Sequence, residues 1–181
     1  EIEHLKKLQF LYFISNKLEK ISRNICNLEN LKTLDLGNNN IREFPNEISK
    51  LSNLQNLDIS FNSLINPEKL ISEICHIESL TWLSMNETNL SYLPKCLFKM
   101  VSLEELFLAK NSINDISLNL KNLRNLRWLD IDDNNLNVIP EAIFELKNLT
   151  NLSIENNKIK EISNKILKLK NLIFLDVGNN Q

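Results

Sequence analysis

The sequence has very few of the residues from which most catalytic and nucleotide-binding motifs are built. Its 181 residues include two glycines, two histidines and three cysteines. Gly37 and Gly178 lie far apart, so neither a G-x-G-x-x-G loop nor a Walker loop can be written. His4 and His76 are equally isolated from each other. The sequence therefore predicts a protein that is not an enzyme, with no catalytic residues and no cofactor.

Long hydrophobic runs are also missing. No apolar stretch approaches the roughly 18 residues that a membrane-spanning helix needs, so no membrane span is predicted. Asparagine, in contrast, is abundant, at 30 of 181 residues, a bias that is often found in disordered polar tracts. Disorder is excluded here because the asparagines are interleaved with Leu and Ile along the whole chain.

The sequence repeats itself at a fixed spacing. Successive units start at Leu8, Leu31, Leu54, Leu80, Leu103, Leu126, Leu149 and Leu172, and each step is 23 residues except one of 26. Their template is L-x-x-L-x-L-x-x-N-x-L, as in LKTLDLGNNNI at 31–41 and LRWLDIDDNNL at 126–136. The alternating fourth and sixth positions predict a short strand, and later apolar residues three apart predict a turn of α- or 3₁₀-helix.

This template resembles that of the leucine-rich-repeat family, and the resemblance covers essentially the whole chain. The rest of each unit matches the 23-residue variety, with an apolar residue and Pro at 44–45, 93–94 and 139–140. Such repeats look like those of bacterial leucine-rich proteins and of intracellular scaffolds. The resemblance implies an α/β solenoid, a curved right-handed horseshoe with a parallel β-sheet on the concave face and short α- or 3₁₀-helical segments on the convex face. We expect one domain over residues 1–181, truncated mid-repeat at both ends.

Asparagine recurs at the ninth position of the units. We predict that it turns the chain there in place of glycine, and the family resemblance implies that these side chains stack into a structural ladder. The ladder residues are Asn16, Asn39, Asn62, Asn111, Asn134, Asn157 and Asn180. The fourth unit has Thr88 instead, so we expect a weaker link there. A second column, assigned to turn chemistry, precedes the strands at Asn30, Asn53, Asn125, Asn148 and Asn171.

The third unit carries three extra residues, within the segment 65–69. Such an insertion can be a loop that contacts a partner, or a bulge that the fold tolerates at little entropic cost. Among the cysteines, Cys26 and Cys75 occupy one column of the convex wall two units apart, too far for a disulfide. Cys96 lies outside that column, so the sequence identifies no disulfide framework.

The outward positions of the strands, which we call the concave face, differ in charge from the rest of the chain. They hold three basic residues and ten acidic ones, a net charge of −7, whereas the remaining positions carry +5. The acidic residues are Asp35, Asp58, Glu87, Glu104, Glu105, Asp130, Asp132, Asp133, Glu155 and Asp176. An acidic face repels phosphate backbones and attracts basic partners, so nucleic acid is not predicted as a ligand.

Both tryptophans of the chain fall on this face. Trp82 and Trp128 occupy the outward third position of their units, and Phe107 occupies the outward fifth position of the unit between them. With strands about 4.8 Å apart, the three should form one patch about 10 Å long. Exposed aromatics ringed by acidic residues have the composition of an interface hot spot, although they can also lie flat on their own sheet and bind nothing.

We therefore predict a module that recognises a protein or peptide with a basic surface through its concave face. The predicted binding residues are Trp82, Phe107, Trp128, Asp58, Glu87, Glu105, Asp130 and Asp132. No metal site is predicted, since the acidic residues at 130–133 lack the spacing and glycine of a calcium loop. Two alternatives are the substrate-recognition arm of a larger enzyme, such as an effector ligase, and a structural surface or adhesion repeat.

Overall fold

The computed structural model describes residues 2–181. Eight three-residue strands form one open, parallel sheet in which each strand pairs with its neighbours in sequence order. Every strand begins at the third position of its unit, which we call a coil and number from one to eight. The strands are β1 (Phe10–Tyr12), β2 (Thr33–Asp35), β3 (Asn56–Asp58), β4 (Trp82–Ser84), β5 (Glu105–Phe107), β6 (Trp128–Asp130), β7 (Asn151–Ser153) and β8 (Phe174–Asp176).

The opposite, convex wall is built from short helical segments. Seven are 3₁₀-helices: η1 (Ile2–His4), η2 (Arg23–Asn27), η3 (Asn46–Lys50), η4 (Leu97–Lys99), η5 (Leu118–Asn122), η6 (Glu141–Glu145) and η7 (Asn164–Lys168). One α-helix, α1 (Pro67–Ile74), takes the corresponding place in the third coil. The predicted leucine-rich-repeat solenoid, with its sheet on the concave face, is confirmed.

The core lies between the two walls and is assembled one coil at a time. Strands pair in register, so Leu34 faces Leu57 and Leu129 faces Leu152 across neighbouring coils. These residues, like the apolar residues at the sixth position of the interior coils, are fully buried. The alternation read from the sequence therefore places one set of side chains in the core and leaves the next set on the concave face.

The turn that follows each strand lies one position earlier than the sequence suggests. Apart from Asn89 of the fourth coil, which has φ of 63°, the left-handed residues in the described chain all lie at the eighth position of their coils, with φ between 50° and 56°, and none lies at the ninth. These residues are Ser15, Asn38, Phe61, Glu87, Lys110, Asp133, Asn156 and Asn179. Neither glycine has a positive φ. The interpretation that the ninth-position Asn replaces glycine as the turning residue was therefore wrong.

The ninth-position asparagines instead hydrogen-bond neighbouring coils together. Asn62 Nδ2 donates to Leu36 O of the preceding coil at 3.0 Å and to Ile59 O of its own coil at 3.0 Å. Its Oδ1 accepts the N–H of Ile41, again from the preceding coil, at 3.0 Å. The same two-way pattern is made by Asn39, Asn111, Asn134, Asn157 and Asn180. Asn16, in the first coil, donates to Phe13 O and Ile14 O.

The second asparagine column also links coils, which the sequence did not reveal. Asn148 Nδ2 donates to Arg124 O at 2.7 Å, 24 residues earlier in the chain. Equivalent bonds of 2.7–2.8 Å are made by Asn30, Asn53, Asn125 and Asn171. Ser79 fills this column in the third coil, with a bond from its hydroxyl to Ser52 O at 2.8 Å. At the entrance to six of the eight strands, all but β4 and β8, the carbonyl at this position is therefore paired by a side chain from the following coil.

The three-residue insertion folds into helix α1. The Asn66 side chain caps its N-terminus by accepting the N–H of Lys69 at 3.0 Å, and Pro67 occupies the first turn. Leu70, Ile71 and Ile74 are buried in the core. Cys75, which follows the helix, forms a disulfide with Cys96 of the fourth coil, with Cα atoms 5.8 Å apart.

Candidate partner-binding surface

The three predicted aromatics form one continuous cluster on the concave face. The Phe107 ring lies between the two indoles, with centroids 5.3 Å from Trp82 and 5.2 Å from Trp128. The rings are tilted by 44° and 58°, an arrangement that favours contact between ring edges and faces. Trp82 and Phe107 are half-buried, whereas Trp128 keeps 38% of its surface exposed. The rings therefore cover one another while presenting an apolar surface to solvent.

Glu105 lies at the centre of this aromatic cluster. It stands directly opposite Trp82 on β4 and directly opposite Trp128 on β6, and it is two residues from Phe107 on the same strand. Its side chain is half-buried. Across residues 2–181, no hydrogen bond or ion pair is made by this carboxylate. A carboxylate between two indoles offers a charge and two π faces to the same cation.

The acidic residues at the fifth position of the coils mainly serve the fold. Asp58 accepts the N–H of Ser60 at 2.8 Å, and Asp130 accepts the N–H of Asp132 at 3.0 Å. Asp35 and Asp176 do the same for Gly37 and Gly178. These four carboxylates each satisfy a backbone donor as the chain leaves its strand. Their negative charge adds to that of the concave face, but one carboxylate oxygen of each already accepts a hydrogen bond from the backbone.

Coils without an acidic fifth residue pair the same donor in a different way. In three of them, the fourth, fifth and seventh coils, the seventh-position N–H bonds to the seventh-position side chain of the preceding coil. Asn86 N–H donates to Ser60 Oγ at 3.0 Å, Ala109 N–H to Asn86 Oδ1 at 2.7 Å, and Glu155 N–H to Asp132 Oδ1 at 2.6 Å. Phe107 can therefore occupy a fifth position because Asn86 supplies the acceptor from the neighbouring coil.

Burial raises the pKa of three carboxylates on the concave face. Desolvation raises the pKa of Asp130 to about 6, with a smaller contribution from the charges of Asp132 and Asp133. Desolvation also raises the pKa of Asp132, whose carboxylate accepts the hydroxyl of Ser153 at 2.8 Å. The pKa of Asp58 is raised for the same reason and further by the charge of Asp35. A bound cation would favour the ionised form of each of these groups.

Exposed ion pairs border the cluster. Glu87 lies 4.0 Å from Lys110, and Glu104 lies 3.8 Å from Arg127. The Lys110 ammonium also stands 5.7 Å from the centroid of the Phe61 ring. All of the charged side chains in these pairs are at least 45% exposed, so each pair is weak and readily exchanged for a partner's charge.

Asp58 lies apart from the cluster, in a groove that begins beside Trp82. The groove has a volume of about 220 Å³, with Asp35 and Asp58 on its floor and Tyr12 at its far end. The two carboxylates stand directly opposite each other on β2 and β3. The predicted site residues therefore form a band along the concave face, with Trp82 shared by the cluster and the groove.

Larger cavities lie outside this band, at the edge of the solenoid next to the insertion. One of about 530 Å³ is bordered by helix α1 and by Phe44, Pro45 and Ile65. A second, of about 580 Å³, adjoins it on the other side of Phe44. Three basic and three acidic side chains line the first, including the Arg23–Glu47 pair at 3.5 Å. This mixed lining favours neither sign of ligand charge.

Residues 2–181 contain neither a cluster of metal-binding side chains nor a membrane-spanning helix. Nowhere among them do three or more His, Cys, Asp or Glu side chains converge in a way that could hold a metal ion. Helices of the length and apolar character required to cross a membrane are not found in this part of the chain.

Several solved structures are similar to this one. A leucine-rich-repeat protein from Leptospira interrogans is 29% identical, with 99% of this chain aligned to 51% of that protein and a TM-score of 0.79. An internalin from Listeria monocytogenes, at 24% identity, shares the fold over 99% of this chain and 50% of its own, with a TM-score of 0.84. The chain thus spans about half the length of these two bacterial proteins.

A plant structure is also similar. It is the ectodomain of the receptor kinase GASSHO1 from Arabidopsis thaliana, in complex with Casparian strip integrity factor 2. Identity is 28% over 90% of this chain and 20% of the ectodomain chain, with a TM-score of 0.76. No protein of curated function matches the sequence significantly.

Family models match the chain along nearly all of its length. A leucine-rich repeat region model matches residues 4–131, and a leucine-rich repeat model matches residues 124–181. The first alone covers more than half of the chain, in agreement with the regular coils, the buried Leu positions and the asparagine ladder. The chain belongs to the leucine-rich-repeat family.

Proposed function

We propose that this chain is a non-enzymatic recognition module that binds a protein or peptide with basic character on its concave face. The observation that carries the proposal is the aromatic cluster of Trp82, Phe107 and Trp128 around Glu105. Leucine-rich repeats are typically interaction modules, and one similar structure is a receptor ectodomain in complex with another protein factor.

The chemistry of the cluster favours a cationic group of the partner. Trp and Tyr faces attract Arg and Lys side chains within about 6 Å, and the attraction grows as water is removed. Glu105 adds a carboxylate that, within residues 2–181, has no hydrogen-bond or ion-pair partner to give up. An Arg or Lys placed between the two indoles would bury apolar surface and pair a charge in the same position.

The neighbouring acidic residues favour the same partner through the field of the face. Asp58, Asp130 and Asp132 are half-buried, and desolvation raises the pKa of each. An approaching cation relieves the repulsion between such carboxylates. Steering of this kind accelerates association and weakens as salt is added.

The test is peptide binding by wild type and by the double variant Trp82→Ala/Trp128→Ala. Labelled peptides of equal length, either rich in Arg and Lys or rich in Glu, are titrated by fluorescence anisotropy. The basic peptides should bind wild type and lose at least tenfold in affinity with the double variant, whose far-UV circular dichroism should match wild type. Tyr92→Ala, which removes an exposed aromatic outside the cluster, is the matched control. Equal binding by the double variant, or preference for acidic peptides, would contradict the proposal.

A further inference from the structure

The junction between the third and fourth coils lacks the ladder bonds that join the other interior coils. Thr88 occupies the ladder position, and its hydroxyl donates to Met85 O in its own coil at 2.9 Å. The N–H of Leu64, which elsewhere would bond to the next coil's Asn, is turned back to Asn62 O at 3.0 Å. Among the described residues, Thr88 makes no side-chain bond to the third coil. The asparagine ladder is thus interrupted once, between Asn62 and Asn111.

The convex wall is also loosely joined at this junction. Helix α1 packs closely against η3 of the second coil but makes little contact with η4 of the fourth. At this junction an eight-residue α-helix faces η4, which has only three residues, in place of the five-residue 3₁₀-helices found in most other coils. Two bonds from Ser91 to Glu68 Oε1, at 2.9 and 3.2 Å, join exposed groups near the edge.

The disulfide crosses this same junction. Cys75 follows the last residue of α1, and Cys96 immediately precedes η4. The two cysteines are 21 residues apart in the sequence. A ladder Asn and the residue whose N–H it accepts are separated by the same number, as Asn62 and Ile41 are. The bridge therefore joins, on the convex side, the two coils between which the ladder bonds are missing. On the side of the sheet, Asn89 Nδ2 donates to Leu64 O at 3.4 Å and the hydroxyls of Ser60 and Ser84 are paired at 2.6 Å.

We propose that the Cys75–Cys96 disulfide replaces the missing ladder link, so that the third junction is a redox-sensitive hinge in an otherwise continuous solenoid. In the oxidised protein, coils one to three and coils four to eight form one rigid surface. Reduction by a dithiol breaks the S–S bond: the dithiol gives up two electrons and two protons and is itself oxidised to a disulfide, while Cys75 and Cys96 become two thiols. The sheet bonds at this junction, such as Ile59 N–H to Ser84 O at 3.0 Å, then hold the halves without support from the convex wall.

The hinge lies beneath the concave face. The groove containing Asp58 is lined by residues of the first three coils and ends at Trp82 of the fourth, so the junction crosses it at that end. Loosening the junction would therefore change the width of this groove while leaving the cluster of Trp82, Phe107 and Trp128 intact, because its three strands lie on one side of the hinge. The inference depends on the ladder and the disulfide and not on the proposed binding function.

Peptide mass spectrometry without reductant is the first part of the test. It should find Cys75 linked to Cys96 and Cys26 as a free thiol. Cys26 is buried, and desolvation raises the pKa of its thiol to about 11, which keeps it protonated and unreactive. Three free thiols in protein oxidised with glutathione disulfide would overturn the proposal.

The second part of the test measures amide hydrogen exchange in four proteins. These are wild type and Cys75→Ser/Cys96→Ser, each with and without Thr88→Asn. Loss of the disulfide should accelerate exchange at least tenfold in peptides from the third and fourth coils and leave β6 and β7 unchanged. Thr88→Asn, which supplies an amide of similar size, should reduce that acceleration to less than about threefold. Cys26→Ser is the control and should change neither region of the sheet.

Two results would overturn the hinge. One is acceleration that spreads evenly over all eight coils, which would mean that the disulfide merely stabilises the whole domain. The other is an acceleration that Thr88→Asn leaves undiminished in a folded protein. If Thr88→Asn does not fold, wild type is reduced with dithiothreitol instead. Faster amide exchange confined to the third and fourth coils then supports the hinge, and faster exchange in all eight coils contradicts it.

Discussion

Phe107 stands directly opposite Asp130 on the neighbouring strand. Both occupy the fifth position of their coils, from which an acidic side chain can accept the backbone N–H of the turn that follows. Asp130 accepts the next turn's N–H itself, at 3.0 Å. The phenyl ring of Phe107 cannot, and the N–H of Ala109 bonds instead to Asn86 Oδ1 of the preceding coil, at 2.7 Å. The aromatic cluster therefore depends on a polar residue one coil away.

This relationship predicts a specific rescue. Asn86→Ala should lower the free energy of unfolding by about 1 kcal/mol, because the half-buried N–H of Ala109 loses its acceptor. In a protein that also carries Phe107→Asn, the new amide can accept that N–H within its own coil, and Asn86→Ala should then cost less than about 0.5 kcal/mol. Urea unfolding of the four proteins measures the coupling. Strictly additive effects would show that the two acceptors do not substitute for each other.

The ladder predicts a sharp difference between two adjacent asparagines. Asn134 is buried and bonds to Leu108 O and Ile113 N of the preceding coil, each at 2.9 Å. Asn134→Ala should therefore cost about 1 to 3 kcal/mol by leaving buried backbone groups unpaired. Within residues 2–181, the Asn135 side chain accepts one bond, from the exposed ammonium of Lys158 at 2.8 Å, and Asn135→Ala should stay within about 0.5 kcal/mol of wild type. Equal shifts in a urea titration would refute the structural role of the ladder.

The left-handed eighth position predicts opposite effects of glycine at two glutamates. Glu87 has φ of 51°, a conformation that is strained for residues with a Cβ, whereas Glu104 does not have a positive φ. Glu87→Gly should be neutral or stabilising, and Glu104→Gly should cost about 1 kcal/mol. Each glutamate loses one exposed ion pair, so the comparison is matched. Calorimetric melting should rank Glu87→Gly above Glu104→Gly, and the reverse order would contradict the assigned backbone.

The raised pKa of Asp130 predicts that replacing this residue by Asn increases stability by an amount that depends on pH. Its pKa in the folded chain, about 6, lies above the ordinary value, so its contribution to stability is present below about pH 4 and is lost as the pH rises through about 6. Asp130→Asn keeps an acceptor for the turn and removes the desolvated charge. It should therefore stabilise the protein at pH 8 more than at pH 4, by about 1 kcal/mol after allowance for solvent screening. Denaturant titrations giving the same difference at both pH values would exclude this role of desolvation.

Much of the fold could be predicted from the sequence because each coil obeys one template. Leu34 and Leu129, like their equivalents, repeat at a spacing that fixes both the strand and the buried side of it. The site residues Trp82, Phe107 and Trp128 could be placed together for the same reason, since register carries one coil's position onto the next. Their ring contacts then follow from size and strand spacing alone.

The remaining features depend on contacts that no residue type marks. The left-handed position is filled by residues as different as Phe61, Lys110 and Asn156, so composition gives no signal for it. The partnership of Asn86 with Ala109 exists only because Phe107 lacks an acceptor. The Cys75–Cys96 disulfide was not predicted because Cys96 lies outside the column of Cys75, although the 21-residue separation of the two cysteines matches the spacing of the ladder bonds.

The most direct test of the binding proposal is a titration of wild type and Glu105→Gln with an arginine-containing peptide, followed by tryptophan fluorescence. Both tryptophans flank Glu105, so a guanidinium between them should change the emission of wild type. Glu105→Gln should retain the aromatic cluster and weaken binding at least tenfold, about 1.4 kcal/mol, because one charge of the pair is lost. Asp133→Asn, a charge removed outside the cluster, should bind nearly as wild type. Unchanged affinity of Glu105→Gln would contradict a cation-binding role for the cluster.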